Sequence, residues 1–99
     1  QCLSPVLNLA LDPRAGRTEE TLGEDPFLAS ELARAYVLSL SRKRVIATPK
    51  HFIMNFAGEG GRDSAEIHMS ERAIMETELA PFMEAIEAGA LSVMAAYNS

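Results

Sequence analysis

Lys50 and His51 stand side by side where the apolar run Val45–Ala47 gives way to Thr48 and Pro49, and Phe52 follows them directly. An ammonium offers three donors, and an imidazole offers a donor and an acceptor. A third donor-rich group, Arg17, lies in the stretch DPRAGRTEETLGEDP. Its guanidinium is a planar fork that suits paired hydroxyls or a carboxylate. Near the end of the chain Met94, Tyr97 and Asn98 add a thioether, a phenol and an amide. Donors of this kind converging on one crevice suit a polyhydroxylated ligand, because every buried hydroxyl needs a partner. The Arg17 stretch also carries Arg14 and five carboxylates, so two readings stand: arginines reaching a ligand, or an ion-pair network that pins the loop. Met94 likewise reads as core packing or as a site wall.

These side chains need elements to hold them. Pro5–Leu11, Arg44–Thr48 and Leu91–Tyr97 are continuous apolar runs, the pattern of parallel strands covered on both faces. Between the first two, Asp25 and Pro26 form a helix start, and the helix is expected to run to about Leu40. Leu28, Leu32, Tyr36 and Leu40 make its inward stripe, widened by Ala29, Ala33 and Val37, while Ser30, Glu31 and Arg34 face out. Ser70 can cap a second helix that kinks or restarts at Pro81, points Phe82, Met83 and Ile86 inward, and ends at Gly89. The order predicts an α/β fold of about three parallel strands with two intervening helical segments. The loops Asp12–Asp25 and Pro49–Met69 are long, and both follow the C-terminal ends of strands, where such sheets bind ligands. Pairing is expected to stop at Pro49, which has no N–H to donate, leaving Lys50 and His51 at the strand mouth.

Composition narrows the function classes. The net charge of −5 argues against nucleic acid, whose phosphates call for clustered cations, and Arg42-Lys43-Arg44 reads as a solvated loop. No apolar run approaches the roughly 20 residues of a membrane span. Cys2 is the single cysteine, and no Cys/His spacing calls for a metal; no cofactor motif is present either. The glycines of AGEGGR match neither phosphate-loop pattern. His68 reads as structural. The localisation stays open. The chain starts and stops in strand-like residues, so a fragment of a longer protein is expected.

Taken together, SPVLNLALDPRAGRTEETLGEDPFLASELARAYV, VIATPKHF and GGRDSAEIHMSERAIMETELAPFMEAIEAGALSVMAAYN resemble the catalytic barrel of glycoside hydrolase family 3, of the β-glucosidase and β-xylosidase type. The resemblance covers nearly the whole chain, in order. It implies that residues 1–99 are part of a (β/α)8, TIM-like barrel, truncated at both ends, with the rest of the barrel and a C-terminal domain as partners. It also implies a retaining, exo-acting β-glycosidase for terminal glucosyl or xylosyl residues. By the same resemblance Arg17, Lys50 and His51 bind hydroxyls of the sugar in subsite −1, Met94 and Tyr97 line that subsite, and a non-proline cis peptide lies near the Lys-His pair. The nucleophile and the acid/base are expected outside this chain, which would leave the 99-residue chain inactive. The N-acetylglucosaminidase branch resembles KHFPGHG with a following D-x-H; here the text is KHFIMNF, and alanine follows Asp63 and Ser64, which disfavours that branch. A non-catalytic carbohydrate-binding protein on the same barrel is the alternative.

Overall fold

A computed structural model describes residues 1–98. Three α-helices and two short parallel strands form the regular structure: α1 (Pro26–Arg42), β1 (Lys50–Phe52), α2 (Glu71–Glu76), α3 (Leu79–Glu87) and β2 (Met94–Ala95). Single 3-10 turns occur at Thr18–Glu20 and Glu59–Gly61.

Local capping chemistry sets the helices. The Asp25 carboxylate accepts from the Phe27 N–H at 3.0 Å, and Pro26 opens α1. Its other end lies past Leu40: Arg44 adopts φ 58°, Arg44 N donates to Ser41 O, and Val45 N reaches back to Leu40 O. This is the Schellman arrangement. Arg44 is thus the left-handed stop of α1 and not the first residue of a strand. Gly89, at φ 108°, ends α3 in the same way, with Gly89 N to Ile86 O and Ala90 N to Ala85 O. Ser70 caps α2 through the Ala73 N–H at 3.2 Å. The break between α2 and α3 falls at Thr77 and Glu78, ahead of Pro81. Pro81 therefore sits in the first turn of α3, where its missing N–H would have no partner anyway.

The strands differ most from expectation. The segment predicted as the first strand, Pro5–Leu11, forms only one isolated parallel bridge, Val6 with Lys50, and a second one lies ahead of it, Cys2 with Ala47. Beyond Leu7 its polar groups turn elsewhere: Leu9 N donates to the Glu78 carboxylate and Ala10 N to Gly23 O. Pairing also runs through Pro49 and does not stop there. Proline lacks only the donor, so Pro49 O accepts from Met94 N at 2.9 Å while Lys50 N donates to Pro5 O at 3.0 Å. Lys50 and His51 are consequently inside β1. Three extended segments still lie side by side, with the Lys50 stretch in the middle.

α1 and α3 pack on one face of these segments, around Leu7, Ala33, Val37, Ala47, Phe82 and Ala85. The inward face of α1 is Ala29, Ser30, Ala33 and Val37; Leu28, Leu32 and Tyr36 are exposed. Small residues let α1 approach α3 closely, and of the larger stripe only Leu40 packs against the core; Ser30 tolerates burial by donating to Pro26 O at 2.6 Å. On α3, Phe82 is buried as expected, whereas Met83 and Ile86 are exposed. Ile46, Leu91 and Val93 on the extended segments are exposed too, so the second face of the sheet is covered only in part, by Ala15 and Phe56 of the loops over Val6.

Candidate functional site

Asn8 organises the site, and the sequence reading passed over it because it sits inside an apolar run. Its side chain is buried and grips His51 from both ends: Nδ2 donates to the His51 carbonyl at 2.9 Å, and Oδ1 accepts from the His51 backbone N–H at 2.9 Å. The two main-chain bonds fix which end of the amide is oxygen. Oδ1 also lies 3.2 Å from His51 Nδ1. An amide oxygen can only accept, so Nδ1 carries the proton and Nε2 keeps its lone pair. Arg17 then donates into that lone pair, NH1 to Nε2 at 3.2 Å. A lone polar residue flanked by Leu7 and Leu9 was the available signal.

The electrostatics agree with this tautomer. Burial pushes the His51 imidazole below its ordinary value of 6.5, and the nearby Arg17 and Lys50 cations push the same way. His51 is neutral at neutral pH. Arg17 is held by the fork of Glu20, with Nε to Oε2 and NH2 to Oε1 at 2.8 Å. That hydrogen bonding lowers the Glu20 carboxylate, with a smaller contribution from Lys50, and raises the guanidinium. Both arginines of the loop are engaged by its own carboxylates, Arg17 by Glu20 and Arg14 by Asp12, and Arg17 alone also reaches His51. Arg14 closes on Asp12 at 2.8 Å and pins the loop. Of the five Arg17 N–H groups, Glu20 takes two and His51 one, which leaves two for another partner.

The second loop buttresses the first. Gly61 has φ 70°, and a Cβ placed on it would meet the Ala15 backbone nitrogen at 2.6 Å. Only glycine permits that approach. This explains Gly61 of AGEGGR as loop packing. Phe56 joins Val6 and Ala15 in a small buried cluster, with its ring 6.2 Å from His51. Asn55 donates to Asp63 at 3.3 Å, and Asp63 contributes to the field at Arg17 and His51.

The structure thus brings Arg17 and His51 into contact, with Lys50 beside them in β1. Met94 pairs with Lys50 across the parallel register. Tyr97 is 85% exposed and belongs to no such contact, while Asn98 donates to Ala65 O at 2.8 Å. The Lys50–His51 and Phe52–Ile53 peptides are both cis, and neither involves proline. His68 is exposed beside Glu66, 3.8 Å away. Among the described residues no cluster of His, Cys, Asp and Glu is arranged to hold a metal ion. The assembly can present cationic and N–H donors from a rigid strand to an oxygen-rich ligand.

Residues 1–99 match the profile of the Glycosyl hydrolase family 3 N terminal domain. Beta-glucosidase BoGH3A of Bacteroides ovatus is 40% identical over 97 residues, which are 97% of this chain and 13% of that protein. A beta-xylosidase of Formosa agariphila is 41% identical, over 94% of this chain and 14% of its own length. A solved β-glucosidase, EmGH1 from Erythrobacter marinus, superposes with a TM-score of 0.95 at 36% identity, over 99% of this chain and 14% of that one. The beta-glucosidase of Listeria innocua, solved in complex with laminaribiose as a D270A mutant, gives 0.89 at 40% identity, over 98% of this chain and 15% of that one. The fold is that of a carbohydrate-active family. The chain belongs to glycosyl hydrolase family 3, and it spans a small part of the length of these relatives.

Proposed function

We propose that residues 1–99 are a segment of the catalytic barrel of a retaining, exo-acting β-glycosidase, and that they hold the terminal glucosyl or xylosyl residue in subsite −1. The observation that carries this reading is the 3.2 Å contact between Arg17 and His51, which joins two long loops at one strand beside Lys50. The two unshared Arg17 N–H groups and the Lys50 ammonium are the donors for ring hydroxyls. His51, with both ring nitrogens engaged, fixes the direction in which Arg17 points. Met94 and Tyr97 form the wall on the neighbouring segment. The names of the relatives support glucosides and xylosides as the substrate class.

Retention of configuration requires a carboxylate nucleophile and a second carboxyl acting as acid and then base, about 5–5.5 Å apart. We assign neither to residues 1–99; both come from elsewhere in the protein. This chain's share of the reaction is to bind and orient the sugar so that the anomeric carbon meets that nucleophile. The test is to assay the full-length protein and the 99-residue chain on aryl β-glucosides and β-xylosides, and to read the anomer released first. Turnover by the full-length protein alone, with a β product, is expected. Turnover by the 99-residue chain at the same rate refutes the segment reading, and an α product refutes retention. Sugar binding without turnover by the full-length protein would leave the binding role and make the protein a carbohydrate-binding relative.

A further inference from the structure

Glu78 is almost fully buried at the break between α2 and α3, and no role in sugar binding described so far uses it. Its Oε1 accepts from the Leu9 backbone N–H at 3.3 Å, and among the described residues its Oε2 has no hydrogen-bond partner. Leu9 directly follows Asn8, and both are buried. The backbone on either side is tied down as well: Leu7 N donates to Lys50 O at 2.8 Å and Ala10 N to Gly23 O at 3.0 Å. Beyond Leu7 the sheet supplies no acceptor to this run, and at Leu9 the Glu78 side chain supplies it instead.

A continuous line of contacts follows. Glu78 holds the Asn8–Leu9 backbone, Asn8 holds His51 by backbone and ring, and His51 receives Arg17. We propose that Glu78 is a positioning residue: through Leu9 and Asn8 it sets the tautomer and orientation of His51, and so the aim of Arg17. Replacing Glu78 by an apolar residue leaves a buried N–H without an acceptor, and the Asn8–Leu9 peptide must move to find another. Asn8 then loses its alignment on three His51 atoms at once. Glutamine keeps the acceptor and the shape, so it should keep the alignment. The inference rests on the sugar-binding reading only for its kinetic consequence; the effect on the imidazole stands apart from it.

The experiment compares Glu78→Leu and Glu78→Gln with the parent full-length protein, carrying nitrogen-labelled histidine, in neutral buffer, where His51 is unprotonated. His51→Ala identifies the His51 signals. The parent and Glu78→Gln should show a proton on Nδ1 alone, and Glu78→Leu should show both tautomers. On an aryl β-glucoside, Glu78→Leu should raise KM on the order of tenfold, the scale at which outer partners of a functional histidine are felt. Its kcat should stay within about twofold. In a His51→Ala background the same substitution should change KM by less than about twofold, because the line it acts through is already cut. A parent-like His51 spectrum in a folded Glu78→Leu protein overturns the inference, as does an equal KM change in both backgrounds. A shifted His51 spectrum in a protein that binds no sugar supports the positioning line and refutes the glycosidase reading instead.

Discussion

Glu78→Gln offers a measurement of what burying this carboxyl costs. Burial raises the Glu78 carboxyl from an ordinary 4.5 to about 7, and the Leu9 N–H and the Asn8 side chain only partly oppose it. A raised carboxyl is one whose ionised form the fold disfavours. Its contribution to stability is complete below about pH 4.5 and is lost as the pH rises to about 7. One pKa unit is worth 1.36 kcal/mol, so the loss amounts to about 3 kcal/mol once ionisation is complete. Glutamine keeps the acceptor for Leu9 and cannot ionise. Relative to the parent, Glu78→Gln should therefore gain stability with rising pH and level off above about 7. His51 works in the opposite direction, since its depressed value makes stability fall as the pH drops below 6.5. Parent and variant share that term, so it cancels in their difference. Thermal melts of both full-length proteins across this range give the comparison, and about 3 kcal/mol corresponds to several degrees in Tm. A Tm difference that does not change between pH 4.5 and 7 would refute the reasoning, because Glu78 would then titrate alike in the folded and unfolded chains.

Arg17→Ala should lower kcat/KM on aryl β-glucosides by about 10- to 100-fold, the scale of a charged hydrogen bond, and Arg17→Lys should recover little because a point charge cannot span Glu20 and His51; steady-state kinetics check both. Gly61→Ala should destabilise the protein by about 1–3 kcal/mol, since the new Cβ meets the Ala15 backbone and the residue sits at positive φ; a melt at unchanged Tm would contradict the loop contact. Phe82→Ala should cost about 3–5 kcal/mol, because that ring is fully buried and stands edge-on to Phe52 at 5.3 Å. The 99-residue chain by itself should aggregate or fold only in part, given exposed Ile46, Leu91 and Val93 on a sheet face that the loops cover only in part; a cooperative melt of a soluble monomer would overturn this.

What was legible in the sequence is what local chemistry decides. Asp25 with Pro26, Ser70 and Gly89 mark helix ends because a cap is settled within a few residues. The Arg44 stop escaped notice since left-handed termini are usually glycine. Strand limits depend on partners far along the chain, so the pairing through Pro49 and the failure to pair beyond Leu7 could not be read locally. On α1, Ala29, Ala33 and Val37, read as the widening of the stripe, are its buried centre and Leu40 packs beside them, while Leu28, Leu32 and Tyr36 are left outside. At the site, Arg17, Lys50 and His51 stood out as donors. Asn8 and Glu78 did not, because an amide in an apolar run and a glutamate in a helical stretch acquire meaning only once the fold sets them against His51 and Leu9.

The backbone contact between Gly61 and Ala15 also bears on how such a site can change. Because the two loops touch main chain to main chain, neither is an independent module. Grafting the Asp12–Asp25 segment from a relative with a different second loop would import Arg17 without the surface it leans on. Changes of specificity along this lineage, natural or designed, should travel as paired loop exchanges.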